Sequence, residues 1–107
     1  MNRTPTVENV VRKNLENTER IMKNALGFVV SNNALMIPVM STYDNTTSLG
    51  MIKLIGGVVV AGARSAVRDL DSTNDLKYLR IGTRKFEYLI APETEFTIIV
   101  VANKRKH

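Results

Sequence analysis

Few residues in this sequence could do chemistry. The chain of 107 residues has no cysteine, and its single histidine, His107, is the last residue. These counts exclude a thiolate nucleophile, a disulfide and a zinc site built from cysteines or several histidines. A catalytic triad would need a histidine at a chain end, where chains are usually poorly ordered. Any catalysis would have to use carboxylate, lysine, tyrosine or serine side chains.

Three aspartates have a spacing that could suit a calcium-binding loop. Asp69, Asp71 and Asp75 suggest such a loop, but the sixth position is not glycine and Arg80 stands where a bidentate glutamate would be. We expect Asp69 and Asp71 to terminate a helix and to form turns with Asn74. The sequence therefore predicts no metal site.

The segment Gly57 to Ser65 (GVVVAGARS) has the glycine spacing of a phosphate-binding loop. Ala63 replaces the lysine that contacts phosphate, and the segment is too apolar for a strand-to-helix loop. Glu93 and Glu95 could form an acid and base pair, but they follow a proline in a turn, where solvation favours a structural role. We predict no catalytic residue, no cofactor and no enzymatic activity.

The charge is concentrated at one end. There are 15 Lys and Arg residues against 10 Asp and Glu residues, and Lys104 to Lys106 supply three of the five net positive charges. We interpret 104–107 as a solvated basic tail, with contact to phosphate or an acidic partner as the alternative. No stripe of alternating basic and aromatic residues is present, so no nucleic-acid partner is predicted.

Length and composition indicate one globular domain over 6–103, with 1–5 as a disordered N-terminus. No secretory signal pattern opens the chain, so a cytoplasmic location is expected. The apolar stretch Leu49 to Ala63 is 15 residues long, shorter than the roughly 20 that a bilayer requires. It predicts a buried helix and no membrane insertion.

The first half of the domain is predicted to be a helix followed by a hairpin. Thr4 and Pro5 form a helix start, and apolar residues recur with helical spacing for about 18 to 20 residues. Leu26 to Ser31 and Leu35 to Met40 resemble strands joined by a turn at Asn32 and Asn33, which tolerate positive φ. Pro38 places the second strand at a sheet edge or beside a bulge.

A second helix is predicted over about 48–68, beginning near Thr47 or Ser48. It contains four glycines, each of which costs about 1 kcal/mol of helix propensity. Gly57, Ala61 and Ser65 lie on one face, where small side chains would let a helix or sheet approach closely. A kinked or frayed helix is the alternative.

Three strands complete the chain, over Leu76 to Ile81, Lys85 to Ala91 and Phe96 to Ala102. The simplest architecture is an α+β fold in which two helices pack on a five-stranded antiparallel sheet. The first of these strands has mixed apolar and polar faces, typical of an edge. It could pair with a second copy or remain an ordinary solvated edge.

The run Ala63 to Ile81 (ARSAVRDLDSTNDLKYLRI), then Ala91-Pro92 and the strand FTIIVV, resembles the roadblock family of dynein light chains. The segments GFVVS, IPV and STYDNTT resemble the hairpin and the loop of that family. The similarity extends from about Val7 to Asn103. The chain differs in its hairpin turn, a longer first helix, a glycine-richer second helix and a basic end.

The resemblance implies a non-catalytic light chain that dimerises with itself or with a roadblock paralogue. Third strands would pair into a ten-stranded sheet, and second helices would lie side by side. The implied partner is the dynein intermediate chain, which places the protein in the cytoplasm with the cytoskeletal dynein complex; an axonemal location stays open. More distant relatives regulate or scaffold small GTPases, which is the alternative function. The interface residues implied are Gly57, Ala61, Ser65, Leu76, Lys77, Tyr78, Leu79, Arg80 and Ile81.

Overall fold

The computed structural model describes residues 25–103. The strands are β1 (Ala25–Asn32), β2 (Ile37–Ser41), β3 (Leu79–Gly82), β4 (Phe86–Pro92) and β5 (Phe96–Asn103). A single long helix, α1 (Asn45–Leu70), connects β2 to β3. The predicted first helix, the N-terminal segment 1–5 and the basic tail 104–107 lie outside the described residues.

The five strands form one antiparallel sheet in the order β2-β1-β5-β4-β3. This confirms the predicted five-stranded antiparallel sheet. The central strand is β5, whose run FTIIVVAN is buried from Phe96 to Ala102. Such a continuous apolar run suits a strand covered on both faces. The edge strands are β2 and β3. Pro38 predicted the first edge, and the mixed apolar and polar faces of Leu76 to Ile81 predicted the second.

Alternate residues of the strands supply two separate cores. The core between α1 and the sheet consists of Val29, Ile52, Val60, Ile90 and Ile99. The core on the opposite face consists of Val30, Leu89, Phe96, Ile98, Val100 and Ala102. The alternation fixes the register of every strand, because a slip of one residue would exchange the two faces.

The hairpin turn differs from the prediction. Residues 33–36 form the turn, and the positive φ of 56° belongs to Met36 rather than to an asparagine. The asparagines instead hold the turn by hydrogen bonds. The Asn32 side chain accepts from the Leu35 amide at 2.9 Å, and Asn33 Nδ2 donates to the Glu93 carbonyl at 2.7 Å. The second strand consequently begins at Ile37, two residues later than Leu35.

Helix α1 begins earlier and ends later than predicted. Asp44 caps its N-terminus by accepting a 2.7 Å hydrogen bond from the Thr47 amide, so the first helical residue is Asn45. At the other end, Asp71 leaves the helical conformation and accepts hydrogen bonds from the amide and hydroxyl of Thr73. The amide of Asn74 donates to the Asp71 carbonyl. The predicted role of Asp71 in ending the helix is confirmed, whereas the same prediction for Asp69 is wrong, because Asp69 lies within the last turn of α1.

The middle of α1, Ile52–Val60, is π-helical. Gly56 and Gly57 lie at its centre, so the two glycines coincide with a change of helix type. The prediction of a buried helix is wrong, because only 17% of its most apolar window is buried. By length and composition alone α1 is also apolar enough to span a membrane, which the shorter stretch Leu49 to Ala63 did not suggest. Helices in the core of a globular domain can have the same length and hydropathy, so these two properties are weak evidence for a membrane span.

Strand β3 is shorter than the predicted strand Leu76 to Ile81. It begins at Leu79, and Leu76, Lys77 and Tyr78 lie outside it. The Leu76 amide donates to Oδ1 of Asp75 at 2.8 Å, while the Leu76 side chain packs against the core beneath α1. Because of these contacts, Leu76 is not part of β3, in contrast to the predicted strand over Leu76 to Ile81.

Candidate dimer interface

The outer edge of β3 is open. Within residues 25–103, β3 pairs only with β4, in a regular register that joins Leu79 to Ile90 and Ile81 to Tyr88. Leu79 and Ile81 are half-buried against the core beneath α1. An open and regular strand edge is a template for pairing with another strand.

The opposite face of β3 carries a charged pair. Arg80 Nη2 donates to Glu87 Oε1 at 2.8 Å, and both side chains are partly exposed. In the register Arg80 is opposite Leu89, and Glu87 is opposite Gly82, so the pair crosses the ladder diagonally. An exposed pair of this kind contributes at most about 1 kcal/mol, but it fixes the position of the only charged side chain in β3.

The outer face of α1 is exposed and includes a row of small and apolar residues, with Lys53 and Arg68 exposed near its two ends. Gly57, Ala61 and Ser65, the small-residue row predicted for the interface, are all exposed. Leu54 and Val58 beside them are 66% and 64% exposed. A Cβ built on Gly62 would meet no atom within 4 Å. Nothing in the described part of the chain covers this row, so it is available to another molecule.

The end of α1 is connected to the segment before β3. Nε of Arg64 and Nε of Arg68 lie 3.7 and 3.8 Å from Oδ1 of Asp75. Leu76 packs against the same core as Val60 of α1. The structure thus brings the two groups of predicted interface residues, on α1 and on residues 76–81, to neighbouring parts of the surface.

An apolar groove of about 790 Å³ runs between the first half of α1 and the sheet. Leu54 and Ile55 line it from the helix, and Ile81, Phe86 and Tyr88 line it from β3 and β4. Burial, with a smaller contribution from Tyr88, raises the pKa of Tyr43 in the same groove. The side chains that line the groove are therefore uncharged at neutral pH, whereas the exposed side of α1 also carries Lys53.

Tyr43 is held by close packing that the sequence did not reveal. A Cβ on Gly27 would lie 2.6 Å from the Tyr43 ring and from Thr42 Oγ1, so only glycine leaves room for them. The contact joins residues 16 positions apart, and no local pattern identifies it. Gly56 and Gly57 meet only the end of the Met36 side chain, at 3.9 and 3.7 Å.

The edge at β2 is built differently. Pro38 interrupts the strand, and the register with β1 shifts between Val30 and Ser31, which is the bulge that Pro38 predicted. Ile37, Val39 and Met40 are nevertheless exposed. A proline and a bulge are features that natural sheets use to protect an edge from pairing.

The residues considered for chemistry do not assemble a site in the described part of the chain. Gly57 to Ser65 lies within α1 rather than in a loop. Between residues 25 and 103 there is no group of three His, Cys, Asp or Glu side chains that could hold a metal. The turn containing Glu93 and Glu95 uses backbone groups, since the Glu95 carbonyl accepts from the Asn33 amide at 2.8 Å.

Comparisons of the sequence and of the fold place this chain among known proteins. The Roadblock/LC7 domain profile matches residues 13–103. A Roadblock/LC7 domain from Streptomyces avermitilis superposes with a TM-score of 0.67 at 12% identity, over 80% of this chain and 73% of that one. Myxococcus xanthus MglB superposes with a TM-score of 0.62 at 16% identity, over 82% of this chain and 73% of its own. At these identities the two structures establish the likeness of the fold alone. The profile match, which spans most of the sequence, means that the chain belongs to the Roadblock/LC7 domain family.

Proposed function

We propose that the protein works as a dimer that binds a partner protein and catalyses no reaction. Two copies, or one copy and a paralogue, join at β3 so that their sheets become continuous and their α1 helices become neighbours. The observation that carries the proposal is the regular, open edge of β3 beside the exposed small-residue face of α1. Pairing would cover both features at once.

The dynein intermediate chain is the partner we propose for this dimer. The support is the resemblance of Ala63 to Ala102 to the dynein light chains of this family. In that role the protein would be a cytoplasmic subunit that supports motor assembly and cargo attachment in microtubule-based transport. The two solved structures described above come from bacteria, so the fold by itself does not select a motor complex.

The second candidate is a scaffold or regulator of a small GTPase. It uses the same dimer, but the partner would be a folded domain rather than a segment of an intermediate chain. The exposed face of α1, with its apolar residues Leu54 and Val58, is compatible with it, because such a face could seat a domain surface as well as a peptide segment.

Binding and kinetic measurements separate the two candidates. Purified protein is mixed with an intermediate-chain segment from the same organism, and binding is followed by calorimetry. In parallel, nucleotide exchange and hydrolysis by candidate GTPases are measured with and without the protein. Binding of the segment without any effect on GTPases supports the light-chain role. Altered GTPase rates without segment binding would replace it with the second candidate.

Glu93 and Glu95 are the carboxylates that the sequence analysis considered for catalysis, so substituting them tests the proposed lack of enzymatic activity. The double variant Glu93→Gln and Glu95→Gln should bind the partner as the natural protein does. If this variant lost partner binding while its fold and its dimer stayed intact, the result would contradict a purely structural role for this turn.

A further inference from the structure

We propose that the two-fold axis of this dimer passes through Leu79. Leu79 then faces Leu79 of the second copy, and Arg80 faces Tyr78 of the second copy. The inference rests on the proposed pairing at β3 and specifies its register, which nothing in the family assignment provides.

Symmetry limits the possible registers. When two identical antiparallel strands pair about a two-fold axis, the axis is perpendicular to the sheet and leaves each side chain on its own face. Directly opposed residues in an antiparallel pair point to the same face, and side chains alternate along each strand. A residue can therefore lie opposite only those residues of the second copy whose side chains point to the same face of the sheet. It follows that some residue on the axis must face its own copy.

The free backbone limits the choice further. On one side, Leu76 is engaged through its amide with Asp75. On the other side, Thr83 starts a turn in which its amide donates to the Phe86 carbonyl at 2.8 Å. The stretch available for pairing is thus 77–82, in which Lys77 and Tyr78 have no backbone hydrogen-bond partner within residues 25–103. The centre of this stretch lies between Leu79 and Arg80, so a two-fold axis at either residue pairs the largest number of its residues.

Charge decides between these two positions. An axis at Arg80 would place two guanidinium groups directly opposite each other, and like charges in that position destabilise a sheet. One glutamate per chain, Glu87, already holds each Arg80 from the β4 side. An axis at Leu79 instead joins two apolar side chains that each pack against the core beneath α1. The cores of the two copies then meet across the interface.

The Leu79 register also gives a partner to two exposed side chains. Tyr78 is 47% exposed in the single chain. Opposite Arg80 of the second copy, its ring can contact a guanidinium that Glu87 keeps in place, an arrangement in which the cation interacts favourably with the aromatic face. An axis at Ile81 would set Arg80 against Gly82, which offers no side chain.

The natural absence of cysteine makes the register directly measurable. Leu79→Cys, Arg80→Cys and Ile81→Cys are prepared separately and oxidised under mild conditions. Opposed Cα atoms lie about 4.5 to 5.5 Å apart, within the roughly 4.4 to 6.8 Å that a disulfide spans. With the axis at Leu79, the two copies of position 80 are about 8 Å apart and those of position 81 about 14 Å apart. Leu79→Cys should therefore form covalent dimers at least tenfold faster than the other two variants.

Ile81→Cys is the matched control for folding, since it also shortens a half-buried aliphatic side chain. A second arm uses exposed positions only. A mixture of Tyr78→Cys and Arg80→Cys should form the mixed disulfide dimer, while each variant alone should form little.

The alternative outcomes separate the register from the dimer itself. Preferential linking at position 80 or 81 overturns the register and keeps the pairing at β3. No linking in a protein that has the mass of a dimer by light scattering overturns both the register and the pairing at β3. A monomeric mass for the natural protein overturns the proposed dimer, and the register with it.

Discussion

The two edges of the sheet, β2 and β3, differ in the side chains that they expose and in the regularity of their backbones. At β2, Ile37 and Val39 are exposed, yet Pro38 and a bulge interrupt the strand. At β3 the ladder to β4 is regular from Leu79 to Gly82, and no proline is present. Exposed apolar side chains therefore do not by themselves mark an interface. An unprotected row of backbone groups is the more informative feature, because only that row can extend the sheet.

The strongest test of this difference places a charge on each edge. Leu79→Asp puts a carboxylate into a half-buried position of β3, against the core beneath α1. We expect the dimer to be lost and the free energy of unfolding to fall by about 1 to 3 kcal/mol, the usual cost of burying an unpaired polar group. Light scattering and chemical denaturation measure the two effects.

Val39→Asp on β2 is its control, because Val39 is 54% exposed and lies at the other edge. It should leave both the mass and the stability close to those of the natural protein. Dissociation caused by Val39→Asp, with the Leu79→Asp protein still dimeric, would assign the interface to β2.

Substituting two glycines by alanine compares the tight packing around Tyr43 with the exposed face of α1. Gly27→Ala should lower the free energy of unfolding by about 1 to 3 kcal/mol, as overpacking usually does, because its Cβ would overlap the Tyr43 ring. Gly62→Ala has no neighbour within 4 Å in the single chain and should raise the stability of the monomer by about 1 kcal/mol through helix propensity. Thermal unfolding of both variants measures the difference. Equal effects of the two substitutions would contradict this packing.

A charge reversal tests the pair on β3. Arg80→Glu removes the 2.8 Å contact to Glu87 and gathers carboxylates from both copies at the joined edge. Dimer affinity should fall about tenfold, equivalent to about 1.4 kcal/mol, and sedimentation at several concentrations would measure it. Adding Glu87→Arg should restore most of the affinity. A double variant as weak as the single one would mean that the pair does not support the interface.

The smallest effect concerns the ends of α1 at low pH. Hydrogen bonds from Thr47, chiefly from its backbone amide, lower the pKa of Asp44 from its ordinary 3.8. Hydrogen bonds from the side chain and then the backbone of Thr73 lower the pKa of Asp71 in the same way. Each carboxylate thus stabilises the folded state above pH 3.8, and this contribution disappears as the pH falls through the lower pKa of the folded state.

Asparagine caps a helix well but does not titrate in this range. Asp44→Asn should therefore match the natural protein near neutral pH and lose less stability below pH 3.8. Asp71→Asn tests the other helix end in the same way. Unfolding curves with the same acid dependence in all three proteins would contradict the assignment of these carboxylates.

The strands were the part of the fold that local sequence specified best. The runs GFVVS and FTIIVV are apolar and β-branched, and they become β1 and the central strand β5. Pro38 located an edge and a bulge because a missing amide has direct geometric consequences. The resemblance of Ala63 to Ile81 then supplied the family, which the profile match confirms.

The errors arose where distant contacts decide the local structure. The Asn33 side chain donates to the carbonyl of Glu93, 60 positions away, and the left-handed residue of the turn is Met36. Leu76 has the pattern of a strand residue, but Asp75 and the core hold it outside β3. Likewise, apolar periodicity cannot tell whether a helix face is buried or exposed in the folded chain, as the exposed Leu54 and Val58 of α1 show.

The pairing of two copies at β3 is the central claim, and amide hydrogen exchange as a function of protein concentration tests it most directly. As dimers form, protection should increase at the amides of residues 78–82 that face away from β4, and on the exposed face of α1. The amides of β2 should exchange at the same rate at every concentration. Protection that rises at β2 instead, or that does not change anywhere with concentration, would contradict the claim.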